Sequence, residues 1–279
     1  MPLTKYLCPD SETRLISDCL NHCPRPEGRC LALGHLHFIA GSGREWEGIS
    51  SVTQLIKPTR LAWLEITKDY SVDPDSMAFM MYGTLHHKRL EIINKKLDGL
   101  SEKKITADIR GTLDRLEPDE LNEGFYKLID YKLVGAYAVA KALGIRKVNG
   151  EAADPDAREW ELQLNRYRLL VEKDSILAPL FPISRLIIQA TVRDSGLRQI
   201  NELKLPRRMP MIPIRKLPDD EVLEYFANKD YLLHHHLEIN TMPPICNPLE
   251  NWNFRRCRAY CSLASFCPEG AKIKRVELQ

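Results

Sequence analysis

The chain has 279 residues, 44% of them hydrophobic and 28% charged, enough to bury a full core as one large domain with appendages or as two small domains. A net charge of +2 from 40 basic and 38 acidic residues excludes a polycation, so nucleic-acid binding has to come from local patches such as Arg255, Arg256 and Arg258. No apolar run approaches the roughly 20 residues of a membrane span, and the polar, cysteine-bearing start lacks the layout of a signal peptide, so a cytoplasmic protein with no membrane partner is expected.

The first thirty or so residues are rich in Cys, Pro and Gly, with too little apolar periodicity for a core of their own. They carry Cys8-x10-Cys19-x3-Cys23-x6-Cys30. The far end carries Cys246-x10-Cys257-x3-Cys261-x5-Cys267, and none of the eight cysteines falls in the 215 residues between. In a cytoplasmic chain such clustering points to metal ligation rather than disulfides. Cys8, Cys19, Cys23 and Cys30 lie close enough in sequence to close a tetrahedral shell, so a structural Zn2+ is expected there. A pairing across the ends, Cys30 with Cys257, Cys261 and Cys267, is the alternative.

From Ser51 the pattern turns helical, with Pro58 placed to open a helix whose Leu61, Leu64 and Ile66 face inward. Asp73-Pro74, an N-cap followed by proline, starts a second helix running to about Lys96. From Lys104 to Lys132 the period becomes two: Ile105, Ala107, Ile109, Gly111 and Leu113 alternate with polar residues, and Tyr126 and Leu128 resume the alternation after the turn-forming stretch Glu117 to Gly124. That predicts a strand pair. A helix from Ala136 to Gly144, another opened by Asp154-Pro155 and reaching about Glu172, strands over 184–193 and 209–215, and a helix from Pro218 to about Glu238 complete the core. The expectation is an α/β fold with a central mixed β-sheet flanked by helices. Three domains follow: a cysteine module over 1–40, the core over 41–240 and a second cysteine segment over 241–279.

The chemistry concentrates on the predicted strands. Asp114 stands in Gly111-Thr112-Leu113-Asp114-Arg115, and one hairpin later comes Ile129-Asp130-Tyr131-Lys132. Residues two apart on a strand share a face, so Asp130 and Lys132 project together and an antiparallel neighbour brings Asp114 beside them. Two close carboxylates repel unless a cation neutralises them. Mg2+ suits the role, because it is held by one or two carboxylates plus substrate phosphate oxygens. Upstream, Gly83, His87 and Glu91 are spaced by four on one helix face, and downstream Gln163 and Tyr167 are also four apart.

In this order the motifs resemble those of the PD-(D/E)XK nucleases of the RecB type, which include AddB-like nuclease domains and CRISPR-associated iron-sulfur exonucleases. The matching segments are Gly83 to Glu91 (Gly-Thr-Leu-His-His-Lys-Arg-Leu-Glu), Gly111 to Arg115, Ile129 to Lys132 and Gln163 to Tyr167 (Gln-Leu-Asn-Arg-Tyr). The resemblance implies a PD-(D/E)XK core in which His87, Asp114 and Asp130 bind the catalytic Mg2+ or Mn2+, with the backbone carbonyl of Tyr131 as a further ligand. Lys132 would be catalytic, and Gln163 and Tyr167 would orient that lysine or contact the DNA backbone. His86 is a rival to His87, but the family spacing from the glycine favours His87. His234, His235 and His236 lie far from the motifs and read as structural or exposed.

Cys257, Cys261 and Cys267, set among aromatic residues, resemble the C-terminal triplet of the iron-sulfur members. The chain departs from those relatives in having three residues, not two, between the first two cysteines, and in offering Cys246 locally as a fourth ligand. Four thiolates suit either Zn2+ or a [4Fe-4S] cluster, and both stay open here. The implied function is a Mg2+- or Mn2+-dependent deoxyribonuclease, expected to act as an exonuclease in recombination, repair or phage DNA processing, with DNA and the proteins of such an assembly as partners. The alternative is a non-catalytic, zinc-containing DNA-binding adaptor or structural subunit on a nuclease-like scaffold.

Overall fold

The structure, a computed structural model, describes residues 3–43, 45–145, 147–148, 151–152, 154–197, 203 and 205–277. In chain order the first elements are β1 (Lys5–Leu7), β2 (Thr13–Leu15), α1 (Ile16–Asn21), α2 (Leu33–Ala40), α3 (Val52–Ile56), α4 (Thr59–Thr67) and β3 (Ser71–Val72). The central part runs α5 (Ala78–Asn94), β4 (Leu100–Thr106), β5 (Arg110–Pro118), β6 (Tyr126–Val134), α6 (Ala136–Ala142), β7 (Lys147–Val148) and β8 (Glu151–Ala152). It continues with α7 (Arg158–Glu172), α8 (Leu177–Leu180), β9 (Ile183–Val192) and β10 (Met211–Ile214). The chain closes with α9 (Asp219–Glu238), α10 (Pro248–Asn251), α11 (Arg255–Ala259) and α12 (Pro268–Glu277). Among the described residues no helix is long and apolar enough to cross a membrane.

The contacts divide the chain into two compact units, one of Met1–Ser50, Lys57–Met81 and Ala227–Gln279, the other of Ser51–Ile56 and Tyr82–Phe226. Both cysteine groups therefore belong to the first unit, while the four sequence motifs belong to the second.

The second unit is an α/β layer structure around a five-stranded mixed sheet, order β10-β9-β6-β5-β4, in which only β6 and β9 run parallel. A parallel pair needs a crossover, and the segment carrying α6, α7 and α8 supplies it. The central strands are apolar on both faces, with Leu128, Ile129, Leu186, Ile188 and Ala190 all buried. Residues 162–171 of α7 are buried throughout, including the polar Gln163, Asn165, Arg166 and Arg168. Buried polar groups need partners. Asn165 accepts from the Leu217 N–H (2.9 Å) and donates to the Arg215 carbonyl (2.9 Å), while Arg166 pairs with Asp108 and Arg168 with Glu172 at 2.7 Å.

The predicted strand pair is a three-stranded meander instead. The alternation Ile105, Ala107, Ile109 looks continuous, but the chain turns at 107–109, where the Ala107 N–H donates to the Ile109 carbonyl (3.2 Å), and β4 returns as β5. Asp108, a turn-forming residue, sits at the bend with its side chain two-thirds exposed. The helix expected from Asp154 starts at Arg158, because the Asp156 carboxylate accepts from the Arg158 N–H (3.3 Å) and sets the first turn there.

In the first unit, β2-β1-β3 form a small sheet with β1 and β3 parallel. Contrary to the expectation that the start of the chain lacks a core, Leu3, Tyr6, Cys19, Leu36, Ile39 and Val72 pack into one, and the buried Tyr6 hydroxyl donates to the Leu36 carbonyl (2.6 Å). The members come from separate turns and from Val72, some fifty residues away, so no local period reveals them.

Candidate active site

The site forms where two strands stop pairing. The β5–β6 ladder runs from Pro118↔Tyr126 to Arg115↔Ile129 and ends there. Beyond that rung β5 stays paired with β4 as far as Arg110, and β6 stays paired with β9 as far as Val134. Asp114 and Asp130 are the first residues past the last rung, one on each strand. The Tyr131 N–H donates to Asp114 Oδ2 (2.7 Å), so a carboxylate side chain takes the place of a ladder carbonyl.

On β6, strand alternation separates two functions. Ile129 and Tyr131 pack with Ile187 and with Leu90 of α5. Asp130 and Lys132 share a polar cluster with Gln163 of α7. There Gln163 Nε2 donates to Asp130 Oδ1 (2.8 Å), Lys132 Nζ donates to Gln163 Oε1 (3.0 Å), and Lys132 Nζ lies 2.7 Å from Asp130 Oδ2 in an ion pair without hydrogen-bond alignment. Gln163 Nε2 also reaches the Tyr167 hydroxyl, one helical turn on (3.3 Å). The close approach of α7 depends on Gly111: a Cβ there would stand 2.9 Å from both the Tyr167 ring and Leu170. Gly83, the glycine of the upstream motif, has open space at its missing Cβ and meets no such demand.

Helix α5 adds His87, whose Nδ1 is 3.5 Å from Asp114 Oδ2 and whose ring meets Tyr131 edge-on at 6.4 Å between centroids. A residue the sequence did not single out joins them. Glu102 of β4 lies opposite Asp114 in register, between the paired rungs Ser101↔Arg115 and Lys103↔Leu113. One ligand atom each from His87, Glu102 and Asp114 falls within 4.8 Å of the others, the one such trio of His, Cys, Asp or Glu among the described residues. Glu102 was hidden in the charged run Ser101 to Lys104, which reads as solvated surface until the turn at 107–109 fixes the register.

Burial sets the electrostatics. The Asp114 carboxyl is pushed up from the ordinary range to about 8, first by desolvation and then by the charge of Asp130. Glu102 is raised as well, by burial and then by Glu91 and Asp130. His87 is lowered, chiefly by burial, with Lys132 acting in the same sense and Asp130 against it. An imidazole whose protonation is disfavoured, beside carboxyl groups whose ionisation burial makes costly, is a donor set for a hard cation.

No family model matches this chain, and neither does any curated protein. Among solved structures it is similar to the one described as "Crystal structure of SSO0001", at 16% identity and a TM-score of 0.44, over 81% of this chain and 89% of that one.

The remaining predicted residues fall as follows. Tyr131 contributes its N–H to Asp114 and its hydroxyl accepts from Asn94 Nδ2 (3.1 Å). His86 is half-buried and outside the trio, and Glu91 pairs with Lys95 (2.6 Å). His234 packs against Trp46, His235 stacks on Tyr231, and His236 Nδ1 lies 3.1 Å from the Thr241 carbonyl oxygen. None of the eight cysteines is in a disulfide. Cys8 and Cys19 are buried, and Cys19 is raised by burial and then by the neighbouring Cys23, Cys30 and Cys8. At the other end Cys246 is pushed up to about 11 by burial, then by Glu250, Cys257 and Cys267, while Arg60 Nη1 stands 3.2 Å from Cys267 Sγ. Neither group draws three sulfurs as close together as the His87 trio.

Proposed function

We propose that the protein is a Mg2+- or Mn2+-dependent phosphodiesterase of the PD-(D/E)XK type acting on DNA. The observation that carries this reading is the fork at the end of the β5–β6 ladder, where Asp114 and Asp130 stand on diverging strands with Lys132 locked beside them by Gln163. His87 and Asp114 supply donors for a hard divalent cation, and Asp130 adds negative charge next to them. Such a cation, when bound, supplies charge neutralisation for a scissile phosphate and acidifies an attacking water.

The chain's own residues do the positioning. The carboxylate of Asp130 and the amide oxygen of Gln163 hold the Lys132 ammonium in one place, 2.7 and 3.0 Å away, so its charge is available to a phosphoryl oxygen without reorganisation. Gln163 is fixed in turn by its bonds to Asp130 and to the Tyr167 hydroxyl. The two cysteine groups, in the unit without this site, are read as metal or iron-sulfur ligands that stabilise their segments.

The test is cleavage of single- and double-stranded DNA with Mg2+ or Mn2+, by wild type, Asp130→Asn and Lys132→Ala. Both variants should keep the far-ultraviolet circular dichroism of the wild type and lose cleavage. Wild-type rates in Asp130→Asn, or no metal-dependent cleavage by the wild type, would defeat the reading.

A further inference from the structure

The last residue of α5 is tied to the sheet by buried polar bonds. Asn94, 6% exposed, donates from Nδ2 to the Tyr131 hydroxyl (3.1 Å), and its backbone carbonyl accepts from Arg115 Nη1 (3.4 Å). Arg115 Nη2 donates to the carbonyl of Asp98, in the turn that leaves the helix. That turn lies tight against β5: Gly99 has a φ of 110°, and a Cβ there would collide with the Leu116 carbonyl. A helix C-terminus leaves carbonyls without partners and carries partial negative charge, so a guanidinium meets both needs.

Apolar packing alone could hold this helix. Leu90 already joins Ile129, Tyr131 and Ile187 in one cluster, and a buried guanidinium carries a desolvation penalty that apolar side chains of similar size avoid. Arg115 is only 2% exposed, and its Nε has no hydrogen-bond partner. What polar bonds add is a single defined geometry. The bonded side chains are next to the site residues in sequence: Arg115 follows Asp114 on β5, and Tyr131 follows Asp130 on β6 and donates its N–H to Asp114 Oδ2 (2.7 Å). Asn94 stands seven residues after His87, two turns along the same face of α5. The Tyr131 ring, whose hydroxyl Asn94 holds, meets His87 edge-on at 6.4 Å between centroids.

We propose that Arg115 and Asn94 are positioning residues for the cation site: they clamp the end of α5 to β5 and β6 and thereby set His87 against Asp114. The proposal rests on the reading of His87 and Asp114 as cation ligands. His87 Nδ1 lies 3.5 Å from Asp114 Oδ2, although one comes from a helix and the other from a strand. Through Arg115 and Asn94 the helix is registered on the same two strands that carry Asp114 and Asp130, so the donors are arranged before a cation arrives.

The experiment is calorimetric Mn2+ titration of the full chain, well below its melting temperature, in wild type, Asn94→Ala, Tyr131→Phe, Arg115→Lys and Asp114→Asn. Nitrogen resonances of metal-free protein labelled at histidine are recorded alongside, with the His87 ring assigned through His87→Gln. Asn94→Ala and Tyr131→Phe should each weaken Mn2+ binding by about tenfold, the lower end of what loss of an outer-shell partner costs. Arg115→Lys should do the same, because an ammonium lacks the fork that reaches both carbonyls. In Asn94→Ala the His87 ring resonances should move while those of His234, His235 and His236 stay. Wild-type Mn2+ affinity in Asn94→Ala and Tyr131→Phe, with loss in Asp114→Asn, would overturn the proposal and leave the cation reading standing. A lowered melting temperature with unchanged affinity would make Arg115 and Asn94 props of the fold, and His87 resonances unmoved in Asn94→Ala would deny the positioning; either result overturns the proposal. Should Arg115→Lys fail to fold, the other two variants decide. No Mn2+ binding by the wild type would defeat the reading of the site and the proposal with it.

Discussion

Lowering the pH from 8 to 6 should strip the cation from this protein more steeply than ordinary carboxylate ligands would allow. Asp114 is raised from its ordinary 3.8 to about 8 by burial and by the charge of Asp130, so it is still protonated over most of that interval and each cation bound has to expel its proton. One proton displaced per cation makes the apparent affinity fall by up to about tenfold per pH unit below that value, about fiftyfold from pH 8 to pH 6, or ~2.3 kcal/mol. Glu102 is raised in the same direction, by burial and then by Glu91 and Asp130, whereas His87 is lowered, chiefly by burial. The sign for stability follows. A carboxyl raised on folding binds more protons in the folded chain, so metal-free stability falls as pH rises from the unfolded value toward about 8, and added cation should recover that loss. Calorimetric Mn2+ titration at pH 6, 7 and 8, in two buffers of different ionisation enthalpy, measures both affinity and protons released. Asp114→Asn should flatten the dependence. An affinity that is level from pH 6 to 8 in the wild type, with no proton release, would refute the argument.

The other predictions probe separate parts of the chain. Gly111→Ala places a methyl 2.9 Å from Tyr167 and Leu170 and should cost about 1–3 kcal/mol by overpacking, seen as a lower melting temperature, with cleavage reduced because α7 carries Gln163. Tyr6→Phe removes the buried hydrogen bond to the Leu36 carbonyl, which should cost about 0.5–1.5 kcal/mol in denaturant unfolding. Elemental analysis of Cys19→Ser beside the wild type should show metal lost from the first group; equal zinc and iron in both would rule that site out. Anaerobically purified protein that is brown, with broad absorbance near roughly 400 nm, would assign an iron-sulfur cluster to the second group, and a colourless preparation with zinc would assign Zn2+ instead.

Strand parity made Asp114, Asp130 and Lys132 legible as one cluster, because a period of two and a single hairpin suffice to place them. The four-residue step from Gln163 to Tyr167 likewise made one helix face visible, and α7 does bring both residues to that cluster. Glu102 was not legible. Its position depends on where β4 turns into β5, and Ala107 and Ile109 preserve the apolar alternation straight through that turn. The start of α7 was misplaced because a proline after an aspartate signals a helix N-terminus wherever it occurs, whereas the Asp156 side chain decides the matter by bonding the Arg158 N–H. The packed core of the first unit escaped detection for a different reason. Tyr6, Cys19, Leu36 and Val72 meet only through tertiary contact, and residues rich in cysteine and proline carry no amphipathic period to announce it.

The Tyr131 amide, bonded to a carboxylate instead of a carbonyl, is a spectator with a direct view of the chemistry. Its proton feels every change of charge on Asp114, whether from protonation or from an arriving cation, without itself taking part. A single labelled tyrosine nitrogen therefore turns the backbone into an indicator: its resonance should move with Asp114 occupancy, and its exchange with solvent should slow when a cation fastens the carboxylate in place. A rung of the sheet doubles as a gauge of the state of the site.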